Sequence, residues 1–133
     1  MSAHEAFEKP EVLRSAQSMR TFTSGATRHI DTDKLDYEGF LSPLAVERYA
    51  QYLHKHRFQA DGNVRDSDNW QKGIPLTVYM KSLWRHFMDV WKLHRTLAPL
   101  TPQGEDDLEE ALCAVMFNSQ GYLHELIKRK HAR

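Results

Sequence analysis

The stretch Ser82-Leu83-Trp84-Arg85-His86-Phe87-Met88-Asp89 sits in the middle of the longest helical pattern of the chain. Ser82, Arg85, His86 and Asp89 recur at steps of three and four, which places them on one side of a helix. Leu83, Trp84, Phe87, Val90 and Trp91 make an apolar stripe beside them. An imidazole and a carboxylate one turn apart, rimmed by aromatic rings, have two readings. They are a hydrogen-bonded polar pair inside a bundle, or half of a metal site.

The C-terminal neighbour bears on that choice. Pro75 opens the helix that carries His86, which should last to about Leu97. Pro99 and Pro102 break the chain, and a further helix starts between Thr101 and Glu105 and runs to about Lys128. Its first turns read Glu105-Asp106-Asp107-Leu108-Glu109-Glu110. Acids at a helix start complement the macrodipole, so a solvated face is the plain reading. Asp107, however, is in register with Glu110, Ala114 and Asn118, and that row borders an apolar face of Leu108, Leu112, Val115, Met116, Tyr122, Leu123 and Leu126. A carboxylate at a core edge needs a partner, and a divalent cation is a good one. Two helices joined by a short proline-rich link pack antiparallel, so the hairpin can bring four ligand side chains onto one surface. Such oxygen-rich ligation suits Mg²⁺ or Mn²⁺. Zinc has no support from one cysteine and histidines at no recognisable spacing.

On the N-terminal side lies a long loop, residues 58–74, closing on Asp68-Asn69-Trp70-Gln71-Lys72-Gly73-Ile74-Pro75. An indole stacks on a base, an amide bonds its edge and an ammonium meets phosphate, so Asn69, Trp70 and Lys72 are candidate nucleotide-binding residues. The plain alternative is a tryptophan plugging a helix end. Arg28, Lys34, Arg57 and Arg65 are further loop cations. Ser42-Pro43 starts a helix to about Arg57, with Ala45, Tyr49, Leu53 and His56 on one face. Residues 21–41 have two glycines, four threonines and no helical period, which predicts an ordered loop. Residues 1–20 read as a loosely held arm before a 21–133 domain. The fold class is therefore all-α: three good helices and no convincing strand. Three helices with this much apolar surface bury it poorly alone, so a four-helix bundle completed by a second copy is expected, a homodimer or tetramer.

Composition removes several classes. Lys and Arg number 18 and Asp and Glu 18, for zero formal charge, against a nucleic-acid binder that relies on a basic field. The single cysteine, Cys113, rules out an internal disulfide and points to a reducing, cytoplasmic setting. No run approaches about 18 consecutive apolar residues and no signal-peptide core is seen, so no membrane partner is expected. There is no Gly-rich phosphate loop, nucleophile elbow or Cys-His arrangement for covalent catalysis.

In chain order, Thr23-Ser24-Gly25-Ala26-Thr27-Arg28, Leu35-Asp36-Tyr37-Glu38-Gly39-Phe40-Leu41-Ser42-Pro43, Asp68-Asn69-Trp70-Gln71-Lys72-Gly73-Ile74-Pro75, Trp84-Arg85-His86-Phe87-Met88-Asp89 and Asp107-Leu108-Glu109-Glu110-Ala111 resemble the phage dATP/dGTP diphosphohydrolase N-terminal family. That family is similar to the all-α MazG-like (MazZ-type) nucleotide pyrophosphohydrolases. The resemblance covers about residues 21–127, and the Asn-Trp-x-Lys-Gly-Ile-Pro and Arg-His blocks are its specific part. It implies a MazG-like four-helix bundle of antiparallel hairpins, completed by oligomerisation. It also implies hydrolysis of a purine deoxynucleoside triphosphate, dGTP before dATP, to the monophosphate and pyrophosphate with Mg²⁺ or Mn²⁺. Family members occur in phages that replace adenine with 2-aminoadenine, where dGMP feeds synthesis of the modified nucleotide.

MazG-like enzymes hold metal with Glu-x-x-Glu and Glu-x-x-Asp on successive helices. This chain departs from that pattern. The nearest match gives His86 with Asp89, and Asp106 or Asp107 with Glu109 or Glu110. Glu109 or Glu110 would orient the attacking water. Lys72, Arg85, Arg28 or Lys34 would hold the polyphosphate, and Trp70 with Asn69 or Asn118 would select the purine. The competing expectation is a dimeric helical module that binds a nucleotide or a protein without turnover.

Overall fold

The structure, a computed structural model, describes residues 19–30, 32–96 and 101–132. The chain divides into two compact units, Met1–Leu41 and Ser42–Arg133. The described residues are mostly helical, with four α-helices and one small sheet. None of their helices is long and apolar enough to cross a membrane. The arm expected over 1–20 falls almost wholly outside the described residues, as do the Pro99 break and the end of the helix expected at Leu97.

The first unit corrects the expectation of no strands. Strands β1 (Met19–Thr21) and β2 (Thr27–His29) pair antiparallel with Arg20 opposite Arg28. Their turn is closed by Phe22 N–H donating to the Ala26 carbonyl at 2.8 Å and Gly25 N–H to the Phe22 carbonyl at 2.9 Å. The Arg20 guanidinium stands 5.2 Å from the Phe22 ring centroid, a cation–π contact. Three-residue strands are too short to show a period of two, which is why the segment reads as loop in the sequence. A single helical turn, α1 (Tyr37–Phe40), follows, with the Asp36 carboxylate accepting from Gly39 N–H at 2.8 Å.

The second unit holds α2 (Pro43–Lys55), α3 (Leu76–Thr96) and α4 (Pro102–His131). Two helix starts obey local chemistry. Ser42 Oγ accepts from Ala45 N–H at 3.1 Å, Thr101 Oγ1 accepts from Gly104 N–H at 3.0 Å, and a proline follows each cap. Each such cap contributes about 1 kcal/mol. Lys128, Arg129, Lys130 and His131 sit in the last turn of α4, where cations face its negative end.

The loop between α2 and α3 is more ordered than its Asp- and Asn-rich sequence suggests. Arg65 N–H donates to the Arg57 carbonyl at 2.9 Å, and Arg57 Nε returns a bond to the Arg65 carbonyl at 2.7 Å. A 3-10 turn over Asn69–Lys72 ends at Gly73, whose φ of 105° lies where side chains are strained.

Helix α3 packs on α4 extensively and α2 packs on α4 over a short stretch. On α3 the inward row is Leu76, Tyr79, Leu83, His86, Val90 and Leu93, at alternating steps of three and four. On α4 it is made of small residues. Gly104, Ala111, Ala114 and Gly121 are buried, with Cys113 and Asn118. Small residues let the backbones approach closely, and Tyr79, 1 % exposed, lies against Gly121. The bulky row is left outside: Leu112, Met116, Leu123 and Ile127 on α4, and Met80, Trp84, Phe87 and Trp91 on α3, are exposed. The expected wide apolar face of α4 is thus mostly at the surface. On α2 the half-buried residues are Arg48, Tyr49, Tyr52 and Leu53, while Ala45 and His56 of the expected face are exposed.

Candidate functional site

Two cavities open in the helical unit. The first, about 550 Å³, is lined by Trp70 and Asn69 of the 3-10 turn, Tyr49 and Tyr52 of α2, Arg57 and Arg65 of the loop, His86 of α3, and Phe117 and Asn118 of α4, among others. The second, about 480 Å³, gathers His86 and Asp89 from α3 and Asp107 and Glu110 from α4, with Tyr52 and His56. Tyr52, His56 and His86 line both, so the two cavities adjoin. One is aromatic and amide-bearing with cations; the other is carboxylate-rich.

The four residues whose register singled them out, His86, Asp89, Asp107 and Glu110, therefore meet on one wall. They are not drawn onto a common point: among the described residues no three such groups stand close enough to hold a metal ion. His86 Nδ1 is 3.8 Å from Asp89 Oδ2, and Asp107 accepts from Gln103 Nε2 at 2.9 Å.

Asp106 and Glu109 face another way. Both meet Arg48 of α2, whose Nε donates to Glu109 Oε1 at 2.7 Å and whose Nη2 lies 3.4 Å from Asp106 Oδ1 and 3.3 Å from Glu110 Oε1. Lys55 Nζ donates to Glu110 Oε1 at 3.0 Å, and His56 Nε2 lies 3.6 Å from Glu110 Oε2. This network clamps α2 onto the first turns of α4. Burial alone would push the Glu110 carboxyl up; hydrogen bonds from Lys55, Arg48 and His56 outweigh it and hold Glu110 below the usual carboxylate range. Burial also raises the Cys113 thiol, and lifts the Tyr49 hydroxyl to about 12.

Asn69, Trp70 and Asn118 line the first cavity together. The Trp70 ring is edge-on to His124 at 4.6 Å, which fixes the indole against α4. Lys72 and Arg85 are exposed and line neither cavity. Arg28, on β2, and Lys34 belong to the first unit, whereas both cavities are built from the second.

Arg48, Lys55, Tyr52 and the cavity role of Arg57 and Arg65 were missed in the sequence. The spacing of Arg48, Tyr52 and Lys55 on one helix face was a usable signal. Their carboxylate partners lie some sixty positions further on, and no local pattern reveals them. Comparison with protein-family models, curated proteins and solved structures finds no match to this chain.

Proposed function

We propose that the protein is a metal-dependent pyrophosphohydrolase that converts a purine deoxynucleoside triphosphate to its monophosphate and pyrophosphate. The observation that carries this reading is the adjoining pair of cavities sharing Tyr52, His56 and His86. A volume of about 550 Å³ is right for a nucleoside, since ligand cavities run roughly 300–1,000 Å³. Trp70 offers a ring to stack on a base, and Arg57 and Arg65 offer charge to a polyphosphate.

The donor set of the second cavity fits a hard divalent cation: three carboxylates and an imidazole on one wall. His86, Asp89, Asp107 and Glu110 would hold Mg²⁺ or Mn²⁺. When bound, such an ion neutralises phosphate charge and makes water a better nucleophile. Glu110, held ionised, takes a proton from the attacking water as its oxygen bonds to the α-phosphorus. The bond from that phosphorus to the bridging oxygen breaks, and pyrophosphate leaves. Glu109, tied to Arg48, keeps the guanidinium in place instead of facing the cavity.

A second copy of the chain is part of the same proposal. Trp84 and Trp91 are 61 % and 54 % exposed and share a row with Met80 and Phe87. Burying that row against its equivalent would complete a four-helix bundle. The chain is expected to sediment as a dimer or larger, and Trp84→Glu combined with Trp91→Glu to shift it to monomer. A monomeric native chain at micromolar concentration would remove this part of the reading.

One observation favours a different function. The carboxylates of Glu109 and Glu110 already have cationic partners in Arg48, Lys55 and His56, as a structural network would. On that reading the chain is a helical binding module without turnover. Product analysis separates the two. The protein is incubated with each of dATP, dGTP, dCTP and dTTP, with Mg²⁺, Mn²⁺ or EDTA, and the products are resolved by anion exchange. Metal-dependent release of a purine monophosphate with pyrophosphate is the expected result. Nucleotide binding with no turnover under any metal would leave the binding module standing.

A further inference from the structure

Glu110 belongs to two sets of partners at once. It lines the second cavity with His86, Asp89 and Asp107. Its carboxylate is also held from α2: Oε1 accepts from Lys55 Nζ at 3.0 Å and from Arg48 Nη2 at 3.3 Å, and His56 Nε2 lies 3.6 Å from Oε2. The holders differ in how firmly they are tied. Arg48 is anchored elsewhere, since its Nε donates to Glu109 Oε1 at 2.7 Å and its Nη2 lies 3.4 Å from Asp106 Oδ1. Lys55 pairs among the described residues with Glu110, and its side chain is 65 % exposed. An ion pair so open to water is weak, because water screens the attraction and a long stem loses freedom in making it. Lys55 therefore leaves Glu110 at small cost, and Arg48 keeps α2 on α4 when it does.

We infer that Lys55 is an exchangeable cation: it competes with a divalent metal ion for the Glu110 carboxylate, and the ion binds in the second cavity by displacing it. This rests on the metal-dependent reading above and adds the step that frees Glu110 to join the other donors. Among the described residues those donors do not converge on one point, and a carboxylate drawn toward α2 by three groups is a physical reason for it. Both oxygens of Glu110 face cations of α2, so an ion bound there must take a place that one of them holds. Arg48 has Glu109 to keep it, His56 is a wall of the cavity, and Lys55 lines neither cavity. The exchange also selects by charge. A monovalent ion brings no more charge than the ammonium it replaces; a divalent ion brings twice as much, and the attraction scales with it.

The test is Mn²⁺ binding to the full chain, without nucleotide, read by electron paramagnetic resonance of the free ion at fixed pH and ionic strength. Lys55→Met keeps the stem and removes the charge, and should bind Mn²⁺ about two- to fivefold tighter than the native chain. Lys55→Arg keeps the charge and should bind no tighter than the native chain. Glu110→Gln removes the contested carboxylate, and in that background Lys55→Met should change the affinity by less than about 1.5-fold. Lys55 is exposed, so neither substitution removes packing from the core. A tightening that persists in full with Glu110→Gln is a field effect and overturns exchange at Glu110, as does an unchanged affinity in Lys55→Met. If Glu110→Gln binds too weakly to measure, the native background decides: Lys55→Met no tighter than Lys55→Arg overturns the assignment. If the native chain binds Mn²⁺ and Lys55→Met is no tighter, the metal reading survives and the exchange does not; if the native chain binds no Mn²⁺, both fall.

Discussion

Gly121→Ala is expected to destabilise the helical unit by about 2 kcal/mol, although alanine is the better helix former. Helix propensity alone predicts a gain of about 1 kcal/mol. Against it stands the Tyr79 ring, which a Cβ at position 121 would meet closer than two carbons can approach. Tyr79 is 1 % exposed, so the ring has no solvent to swing into, and the helices must part or the ring must leave its rotamer. Overpacking of this kind costs about 1–3 kcal/mol, at times more. Urea denaturation of native and variant chains measures the difference. Tyr79→Leu should destabilise alone, and combined with Gly121→Ala should recover part of the loss, a coupling that marks direct contact. A variant as stable as the native chain would mean that α3 and α4 do not approach at Gly121.

Glu110→Gln is expected to lower turnover of the preferred triphosphate by about 10²–10⁴-fold, the range for loss of a positioned general base. The substitution keeps shape and removes charge, so a retained rate would take Glu110 out of the chemistry. The same variant has a signature apart from catalysis. Glu110 is held below its ordinary pKa in the folded state, so its ionisation stabilises the fold. That contribution is fully present above the unfolded value of about 4.3 and is lost as pH falls through the lower folded value. Native and Glu110→Gln chains should differ in denaturant midpoint at pH 7 and converge on acidification below about pH 4. A difference that persists at pH 3 would mean the variant lost packing and not charge.

The helix starts were legible because they are local. Ser42-Pro43 and Thr101-Pro102 carry cap and proline in adjacent positions, and both caps form. The hairpin of β1 and β2 was not legible, since three residues are too few for alternation to register. The inward faces were harder. Helix α3 offers two rows at helical spacing, one through Tyr79, Leu83, His86 and Val90, the other through Met80, Trp84, Phe87 and Trp91. Hydrophobicity favours the second, but the helices close on the first, because the small residues of α4 let the backbones come close. The same effect turned Leu112, Met116 and Leu123 outward. Of the candidate site, the acid row could be read from register alone: His86, Asp89, Asp107 and Glu110 line one cavity. Asp106 and Glu109, each one position before Asp107 and Glu110 and so turned to another side of the helix, are taken by Arg48, and that pairing depends on how α2 crosses α4.

Cys113 gives the molecule a timekeeper. It is buried on α4 within electrostatic reach of Arg48 and Tyr49 of α2, and burial raises its thiol above the ordinary value. Alkylating reagents attack the thiolate. Modification must therefore wait for excursions in which α2 lifts from α4. The chain has one cysteine, so every labelled molecule records such an event. Under fast reclosing, the labelling rate relative to a free thiol gives the free energy of that opening directly. The clamp of Arg48 on the acidic turns of α4 can thus be weighed while the rest of the fold stays native.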